Sequence, residues 1–385
     1  MTHQNQHKWN SAHIYYNDDK DPLLIHCIKP LAWTLKQESL IERFFFERHW
    51  RGGPHLRLRF YADESVFESA VKPRIESQIG AYLRQHPSAK QIKEEDVRQF
   101  HEQLALKEVE DGDFVPLYPN NTIQYLPYVP KTKVFLGGQG VELIEDYYEA
   151  TNEVVFSILE RTGSDRAKRL EETFDLMVIT AATLAEIKRS FLAYRSHAEG
   201  FIGDSRDPLQ LRRHFDARYE SQSQALQARI QQITSALNSE LSDESIQADW
   251  AKINRAFHQS ARALIASGKV KVLVHEDMHA LWQPAHIKEF DRRKETIMAN
   301  SEFHEALQTN EAAQRFMQTD VEFLSARLIL NYMYLTVARL GVSPMEKFFL
   351  AYLIARAVEE MHSLSTIESI KAYSDTNVEA LTRKK

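Results

Sequence analysis

The sequence predicts an α+β fold, in which an antiparallel sheet in the N-terminal third packs with a mainly helical remainder. Residues 44–60 contain an apolar strand, a Gly-Gly-Pro turn and a second strand, which is the pattern of a β-hairpin. From about Gln139 onward, apolar residues recur instead at helical spacing. No linker separates the two parts, so we expect one domain over residues 1–385 with a helical insertion at about 200–300.

The N-terminal elements are read from their alternation and their end signals. Residues 9–16 favour a strand that precedes the hairpin. Residues 22–36 favour a helix, because Asp21 stands just before a proline at the first helical position. Residues 63–86 favour a second helix, for which Asp63 is the expected N-cap.

Residues 87–133 are predicted to be rich in loops. Five prolines and the turn-forming pair Asn120-Asn121 interrupt any regular spacing of apolar residues there. A segment of this length without periodicity is usually functional or poorly ordered.

The remainder of the chain is predicted to be mainly helical. Residues 208–266 are polar and form an expected helical hairpin that turns near Ser242-Asp243. Polar and apolar residues alternate from Lys269 to Val274, as in a short strand, and this segment is the one predicted interruption of the helical pattern. The predicted helices are 140–161, 165–195, 208–238, 243–266, 286–299, 311–340 and 344–362.

Composition restricts the classes of protein to which the chain can belong. Of its 385 residues, 43% are hydrophobic and 26% are charged, as in ordinary globular proteins. A net charge of -6 gives no basic field for nucleic acid. Cys27 is the single cysteine, which excludes a disulfide framework. No apolar run is long enough to span a membrane and no secretory signal is visible, so we expect a cytoplasmic protein.

One face of the second hairpin strand carries the most distinctive side chains. His55, Arg57 and Arg59 alternate with apolar neighbours and therefore point to the same side, about 7 Å apart from one to the next. A guanidinium is a planar fork that suits a carboxylate or phosphate. The alternative is a solvated face on which each arginine pairs with a nearby acid.

A possible zinc motif lies further along the chain. His275-Glu-Asp-Met-His279 matches the H-E-x-x-H pattern, in which two histidines on one helical face bind zinc and Glu276 acts as general base. Strand-like alternation precedes His275, and a third ligand is not well placed. A zinc metalloprotease is therefore an alternative, and we expect neither a metal nor an organic cofactor.

A polar face is predicted on an apolar helix near the C-terminus. Asn331 and Tyr334 are three residues apart on this helix, so they share one face. Buried residues of these types are most often satisfied core residues. A functional role gains support if the face meets the strand that carries Arg57 and Arg59.

Taken together, four stretches resemble the C-terminal domain family of lantibiotic dehydratases, also called the thiopeptide-type bacteriocin biosynthesis domain. They are residues 9–30, the run from Phe46 to Arg59 with its Gly-Gly-Pro-His-Leu-Arg-Leu-Arg segment, Tyr128 followed by Gly137-Gly138, and Arg339-Leu340-Gly341. The resemblance covers the chain in outline and is weakest over 200–300.

The resemblance implies peptide-modifying chemistry. Full-length members remove glutamate from glutamylated Ser or Thr of a precursor peptide, and arginines matching Arg57 and Arg59 are implicated there together with a histidine. Stand-alone relatives of this length include thiopeptide pyridine synthases. These join two dehydroalanines in a formal [4+2] cyclisation, then lose water and expel the leader peptide.

The sequence departs from the eliminating members at two positions. By spacing from Arg339, Tyr334 stands where those members have the histidine, and Phe135 stands where they have an arginine before the Gly-Gly pair. We therefore expect a cyclase-like member, in which Arg57 and Arg59 bind a carboxylate or polarise an amide carbonyl. Tyr334 is the expected proton or hydrogen-bond donor. His55 is a possible proton carrier, but the favoured interpretation is a histidine that packs against the turn. Asn331, Arg339 and Tyr128 are the expected substrate-binding residues.

Other functions remain open at this stage. The chain could be a glutamate-eliminating partner of a separate glutamylating dehydratase, with His197 or His362 as the missing histidine. It could also be a non-catalytic peptide-binding subunit. The expected partner is a precursor peptide with its leader, with a homodimer as a further possibility.

Overall fold

A four-stranded antiparallel sheet forms in the N-terminal third, and the predicted α+β class is confirmed. The computed structural model describes residues 7–132, 138–238, 245–271, 273 and 275–374, apart from the side chains of 238, 275 and 276. The sheet has the order β2-β3-β1-β4. Its strands are β1 (His7–Tyr15), β2 (Arg43–His49), β3 (His55–Asp63) and β4 (Thr122–Gln124).

The turn between β2 and β3 requires glycine. Gly52 and Gly53 have φ angles of +71° and +113°, which L residues with a side chain rarely adopt. A Cβ on Gly52 would lie only 2.8 Å from Cδ2 of Tyr118. The Gly-Gly-Pro sequence thus closes the hairpin and lets a later segment approach it.

Helices make up most of the rest of the chain, as predicted. Asp63 caps its helix as expected, because its carboxylate accepts hydrogen bonds from the amides of Ser65 and Val66. The helices are α1 (Asp21–Leu23), α2 (Lys29–Gln37), α3 (Glu64–Val66), α4 (Lys72–Gln85), α5 (Glu94–Glu108), α6 (Gly138–Ala150), α7 (Asn152–Thr162), α8 (Arg166–Leu184), α9 (Ile187–Gly203), α10 (Pro208–Glu220), α11 (Ser223–Asn238), α12 (Ile246–Ala266), α13 (His275–Leu281), α14 (Pro284–Asn300), α15 (Glu302–Thr309), α16 (Glu311–Thr319), α17 (Val321–Arg339), α18 (Pro344–Met361) and α19 (Thr366–Lys371), with π-helical turns at Leu24–Ile28 and Phe67–Val71.

The segment 87–133, predicted to be rich in loops, contains the helix α5, which the sequence did not predict. This helix buries only His101 and Ala105, four residues apart, so its apolar periodicity is too weak to detect. Its first turn contains Glu94, Glu95 and Asp96. These carboxylates favour the positive end of the helix dipole.

The long predicted helix over 311–340 is two helices. Asp320 lies between α16 and α17, and its carboxylate accepts a hydrogen bond of 2.7 Å from the amide of Phe323. Asn310 starts α16 in the same way, through a 2.9 Å bond from the amide of Ala313. Local capping therefore divides a segment that is continuous in apolar periodicity.

The strand predicted at 269–274 does not form within the described residues of that segment, where a turn follows α12. Val272 and Val274 themselves lie outside the described residues, as does the turn predicted at Ser242-Asp243. Among the described residues, no helix is both long and apolar enough to cross a bilayer.

The chain forms two units, each with its own core. The first comprises described residues of Met1–Lys131, Ile144–Asp165 and Ala338–Gly341, and the second those of Thr132–Leu143, Arg166–Val337 and Val342–Lys385. Each unit is assembled from separated stretches of sequence. The predicted single domain with an insertion at 200–300 stays a prediction.

The apolar face of the sheet forms the core of the first unit. Phe46 and Phe60 are buried on this face. The ring of Phe46 lies 5.3 Å from that of Phe156 in α7, and the ring of Phe60 lies 6.2 Å from that of Phe67. Helical residues therefore cover this face, and the opposite face of the sheet carries the polar side chains.

The second unit is built from helices packed around α8, α9 and α18. The buried indole of Trp250 in α12 donates to the Leu176 carbonyl at 3.0 Å and to Thr180 Oγ1 at 2.9 Å. Gly203 lets α9 approach α14, because a Cβ there would lie 3.2 Å from the Cα of Ile297. This packing fixes the spacing of α9 and α18, which carry polar side chains considered below.

Candidate active site

The polar face of the sheet gathers side chains from three strands. In the register, Arg57 is opposite His13 of β1 and Glu47 of β2, while Arg59 is opposite Ser11. Directly opposite residues place their side chains on the same face about 5 Å apart. The face that the sequence predicted for β3 is thus extended by neighbouring strands into a continuous polar surface.

Arg59 is an internal residue of this surface. It is 3% exposed, donates to Ser11 Oγ and lies 3.1 Å from His13 Nε2. Its guanidinium is 3.9 Å from a Glu47 carboxylate oxygen, and burial lowers its pKa to about 10. Arg59 therefore orders neighbouring groups, and its predicted direct contact with substrate stays a prediction.

Arg57 differs from Arg59 because its terminal nitrogens are available. The side chain is half-buried, and Nε donates to His55 Nε2 at 3.3 Å. Within the described residues this is its one hydrogen bond, and no carboxylate forms an ion pair with it. Among the described side chains, the alternative of an arginine paired directly with an acid therefore does not describe Arg57, although its charge helps to lower the pKa of Glu47 and Glu110.

His55 orients the guanidinium of Arg57 by accepting its Nε hydrogen bond. The imidazole is fully buried, and its Nδ1 lies 2.8 Å from the Gly53 carbonyl. Burial and the charge of Arg57 keep the pKa of His55 well below 6.5. The neutral ring thus carries its hydrogen on Nδ1 and accepts at Nε2. This geometry favours a positioning role over the predicted proton carrier.

Two further neutral histidines surround the arginines. Burial and the nearby charge of Arg59 lower the pKa of His13 to about 2. Burial also lowers the pKa of His49 to about 4, against the opposing effect of Glu110. The polar surface therefore presents uncharged imidazoles at neutral pH, and its positive charge comes from arginine and lysine.

A buried carboxylate and a lysine complete the surface. Lys131 Nζ lies 2.7 Å from a Glu47 oxygen, and its positive charge helps to hold the pKa of Glu47 below its usual range despite the opposing effect of burial. The nearest cations to Glu47 are Lys131 and Arg59, and the charge of Arg57 contributes to the lowered pKa after these two.

Tyr128 lies beside Arg59. The Tyr128 hydroxyl donates to Glu145, and its ring centroid is 5.1 Å from the guanidinium carbon of Arg59. Trp9 donates to the second oxygen of the same carboxylate at 2.6 Å. These contacts fix the ring of Tyr128, and its predicted contact with substrate stays a prediction.

Arg339 is enclosed within the first unit, and its predicted contact with substrate stays a prediction. Arg339 is 1% exposed and lies between the rings of Phe46 and Tyr148, 4.6 and 5.4 Å from their centroids. It donates to the Tyr148 carbonyl at 3.0 Å and also to Thr151 and Asn152. A guanidinium enclosed and bonded in this way stabilises the first unit.

Tyr334 and Asn331 belong to the second unit. The Tyr334 hydroxyl lies 3.2 Å from His197 Nδ1, and burial raises its pKa well above 10. Asn331 is half-buried, and within the described residues its amide makes no hydrogen bond. Tyr334 is therefore hydrogen-bonded, as expected for a buried core residue, whereas the amide of Asn331 has no such bond in the described part of the chain.

Several predicted residues fall outside what the structure describes. Phe135 and Gly137 are not described, and neither are the side chains of His275 and Glu276 in α13. The zinc hypothesis for His279 and its partners therefore stays a prediction. Elsewhere in the described chain, no group of three His, Cys, Asp or Glu side chains could hold a metal ion.

Sequence reasoning missed His13, Glu47 and Lys131. His13 alternates with Ser11 and Tyr15 in β1, so pairing that strand with β3 would have placed it opposite Arg57. No local signal identifies Lys131, which reaches Glu47 across 84 residues of sequence.

The chain was compared with known families and structures. The model of a family described as the lantibiotic biosynthesis dehydratase C-terminus matches residues 9–358. The fold is similar to that of the pyridine synthase TbtD from thiomuracin biosynthesis, with 26% sequence identity, a TM-score of 0.71 and coverage of 92% of this chain and 98% of that chain. It is also similar to TsrL, with 21% identity, a TM-score of 0.69 and coverage of 95% and 98%.

None of the curated proteins matches the chain at a significant level. The family match nevertheless covers most of the sequence, including the polar strand face and Tyr334. The chain therefore belongs to the family of lantibiotic biosynthesis dehydratase C-terminal domains.

Proposed function

We propose that this protein is a modification enzyme of the pyridine-synthase type, acting on a dehydrated, ribosomally made precursor peptide. The observation that carries the proposal is the similarity to the thiomuracin pyridine synthase over 92% of this chain and 98% of that one. The reaction would join two dehydroalanines of the peptide in a formal [4+2] cyclisation. Loss of water and of the leader peptide would then complete the ring.

In this proposal, Arg57 binds an oxygen of the substrate. Its terminal nitrogens are available, and His55 holds Nε in place. A guanidinium that is already oriented loses less entropy on binding than a free side chain. The bound oxygen is a carboxylate or an amide carbonyl, since both accept two hydrogen bonds from the same fork.

Tyr334 supplies a hydroxyl to the reacting amide. Its raised pKa keeps the phenol protonated at neutral pH, so it acts as a hydrogen-bond donor to an oxygen that gains negative charge. The imidazole of His197 lies 3.2 Å from the phenol oxygen. If His197 Nδ1 carries the hydrogen, the imidazole donates a hydrogen bond to the phenol oxygen of Tyr334. The phenol hydrogen is then available to donate to the substrate.

A specific observation favours a second function, the glutamate lyase. That reaction needs a histidine as proton carrier, and His197 lies next to Tyr334. However, burial and neighbouring positive charges lower the pKa of His197 to about 3, so the imidazole is a weak base. His362, the other candidate, is the C-cap residue of α18.

Mass spectrometry of the precursor peptide encoded beside this protein tests the proposal. The protein alone is incubated with the dehydrated peptide and, separately, with the glutamylated peptide. We expect loss of water and leader from the dehydrated peptide. Loss of glutamate from the glutamylated peptide would instead support the lyase, and binding without any mass change would support a peptide-binding subunit.

A further inference from the structure

Three polar side chains form a row on one face of α17. Arg327, Asn331 and Tyr334 are at positions i, i+4 and i+7, which lie one above another on a helix. Their neighbours Leu328, Ile329, Leu330 and Met333 are buried apolar residues. The row thus lies beside buried apolar residues of the same helix, and the function described so far uses only its last member.

Two members of the row have hydrogen-bond donors without acceptors. In the part of the chain that the structure describes, neither the guanidinium of Arg327 nor the amide of Asn331 makes a hydrogen bond or an ion pair. Arg327 is exposed and Asn331 is half-buried. These groups can therefore bind a ligand without first breaking an internal contact.

The surroundings of Tyr334 are positively charged. Lys347 Nζ of α18 lies 4.8 Å from the centre of the Tyr334 ring. After burial, the charges of Arg327 and Lys347 are the largest causes that lower the pKa of His197, followed by His304. Among the residues that the structure describes, no carboxylate contributes to this shift. An excess of positive charge around a neutral phenol and a neutral imidazole favours an oxygen ligand that gains negative charge.

We propose that Arg327 and Asn331 bind the carbonyl oxygen of the reacting peptide amide and hold it beside the hydroxyl of Tyr334. This inference rests on the proposed function and assigns to it two binding residues on the same helix face. Donors fixed on a helix are already oriented toward the place where charge develops, which is where hydrogen bonds lower a barrier most. Asn331 was predicted from sequence as a substrate contact, whereas Arg327 was not.

The test compares Arg327→Gln and Arg327→Lys with wild type on the dehydrated precursor peptide. Removing one donor to a developing oxyanion lowers kcat by about 100-fold or more, so we expect such a loss for Arg327→Gln. Arg327→Lys keeps the charge and should recover part of the rate. The matched control is Arg262→Gln, which removes an exposed arginine that pairs with Glu322 at 2.5 Å and should keep the wild-type rate.

A second readout does not depend on turnover. Arg327 depresses the pKa of His197 through its charge, so Arg327→Gln should raise that pKa, as followed by NMR titration of the imidazole. Arg262→Gln should leave the titration unchanged. A normal rate in Arg327→Gln overturns the inference, and so does a lost rate with an unchanged His197 titration.

Failure of the inference and failure of the proposed function give different results. If wild-type protein leaves the dehydrated peptide unchanged, the proposed function fails and the inference fails with it. If wild-type protein forms the ring and Arg327→Gln forms it equally fast, the inference alone fails.

Discussion

Two arginines on one strand face have different structural roles. Arg59 is enclosed by Ser11, His13 and Tyr128, whereas in the described part of the chain Arg57 makes its side-chain hydrogen bond to His55 alone. The sequence places them two residues apart with similar neighbours, so alternation alone predicts the same role for both. Contacts from β1 and from the Tyr128 segment create the difference, and these contacts are not visible in a local pattern.

Substitution of these arginines should separate activity from stability. Arg57→Gln should lower kcat/KM about 100-fold and change the free energy of unfolding by no more than about 0.5 kcal/mol, since no ion pair is lost. Arg59→Gln should reduce that free energy by about 3 kcal/mol, because it leaves buried partners unpaired. Peptide turnover and urea unfolding of both variants check this. A large loss of stability in Arg57→Gln, together with wild-type stability in Arg59→Gln, would contradict the roles given to the two residues.

The neutral histidines predict a loss of stability in mild acid. The folded-state pKa values of His13 and His49, about 2 and about 4, are below the unfolded value of about 6.5. At pH values between the folded-state and the unfolded-state pKa of a histidine, the unfolded chain binds more protons than the folded chain. The free energy of unfolding that is present above about pH 6.5 therefore decreases as the pH falls. The loss is at most about 1.4 kcal/mol per pH unit for each histidine.

Urea unfolding at pH values between 7 and 5 measures this loss. His49→Gln should reduce the slope of stability against pH, because one of the depressed histidines is removed. A free energy of unfolding that is constant from pH 7 to 5 would contradict neutral, buried imidazoles.

At the scale of elements, signals that lie within a few residues were predictable. The Gly-Gly-Pro turn indicated the hairpin, and Asp63 indicated the start of its helix. The break at Asp320 was missed, although Asp320 caps the helix that follows it. The apolar pattern continues across this position, and capping is a weaker signal than periodicity. Helix α5 was missed because it has too few buried residues to give a detectable apolar periodicity.

The hairpin turn should tolerate no side chain at Gly52. Gly52→Ala places a Cβ at positive φ and 2.8 Å from Tyr118, so we expect the free energy of unfolding to fall by about 1–3 kcal/mol. Gly80→Ala is the control, since Gly80 lies inside α4 and its Cβ would meet only the end of the Arg84 side chain, at 3.2 Å. Thermal unfolding should show Gly80→Ala equal to wild type or more stable. Equal destabilisation of the two variants would contradict strain at the turn.

At the scale of the molecule, the α+β class and the helical C-terminal part followed from sequence, whereas the two units did not. Each unit combines stretches that are distant in the chain, and periodicity contains no information about such pairings. The hydrogen bond from Arg339 to Tyr148 joins residues 191 positions apart. The resemblance to a family identified Arg339 as a substrate residue, but its burial gives it a structural role.

The short stretch Ala338–Gly341 of the first unit has a consequence for biosynthesis on the ribosome. The strands and α7 emerge first, yet the space between Phe46 and Tyr148 is filled only when Arg339 has left the exit tunnel. By then most of the second unit has already been translated. The nascent sheet therefore waits through the synthesis of more than 170 residues, from Arg166 to Val337, before the last buried side chains of its unit, Arg339 and Leu340, arrive.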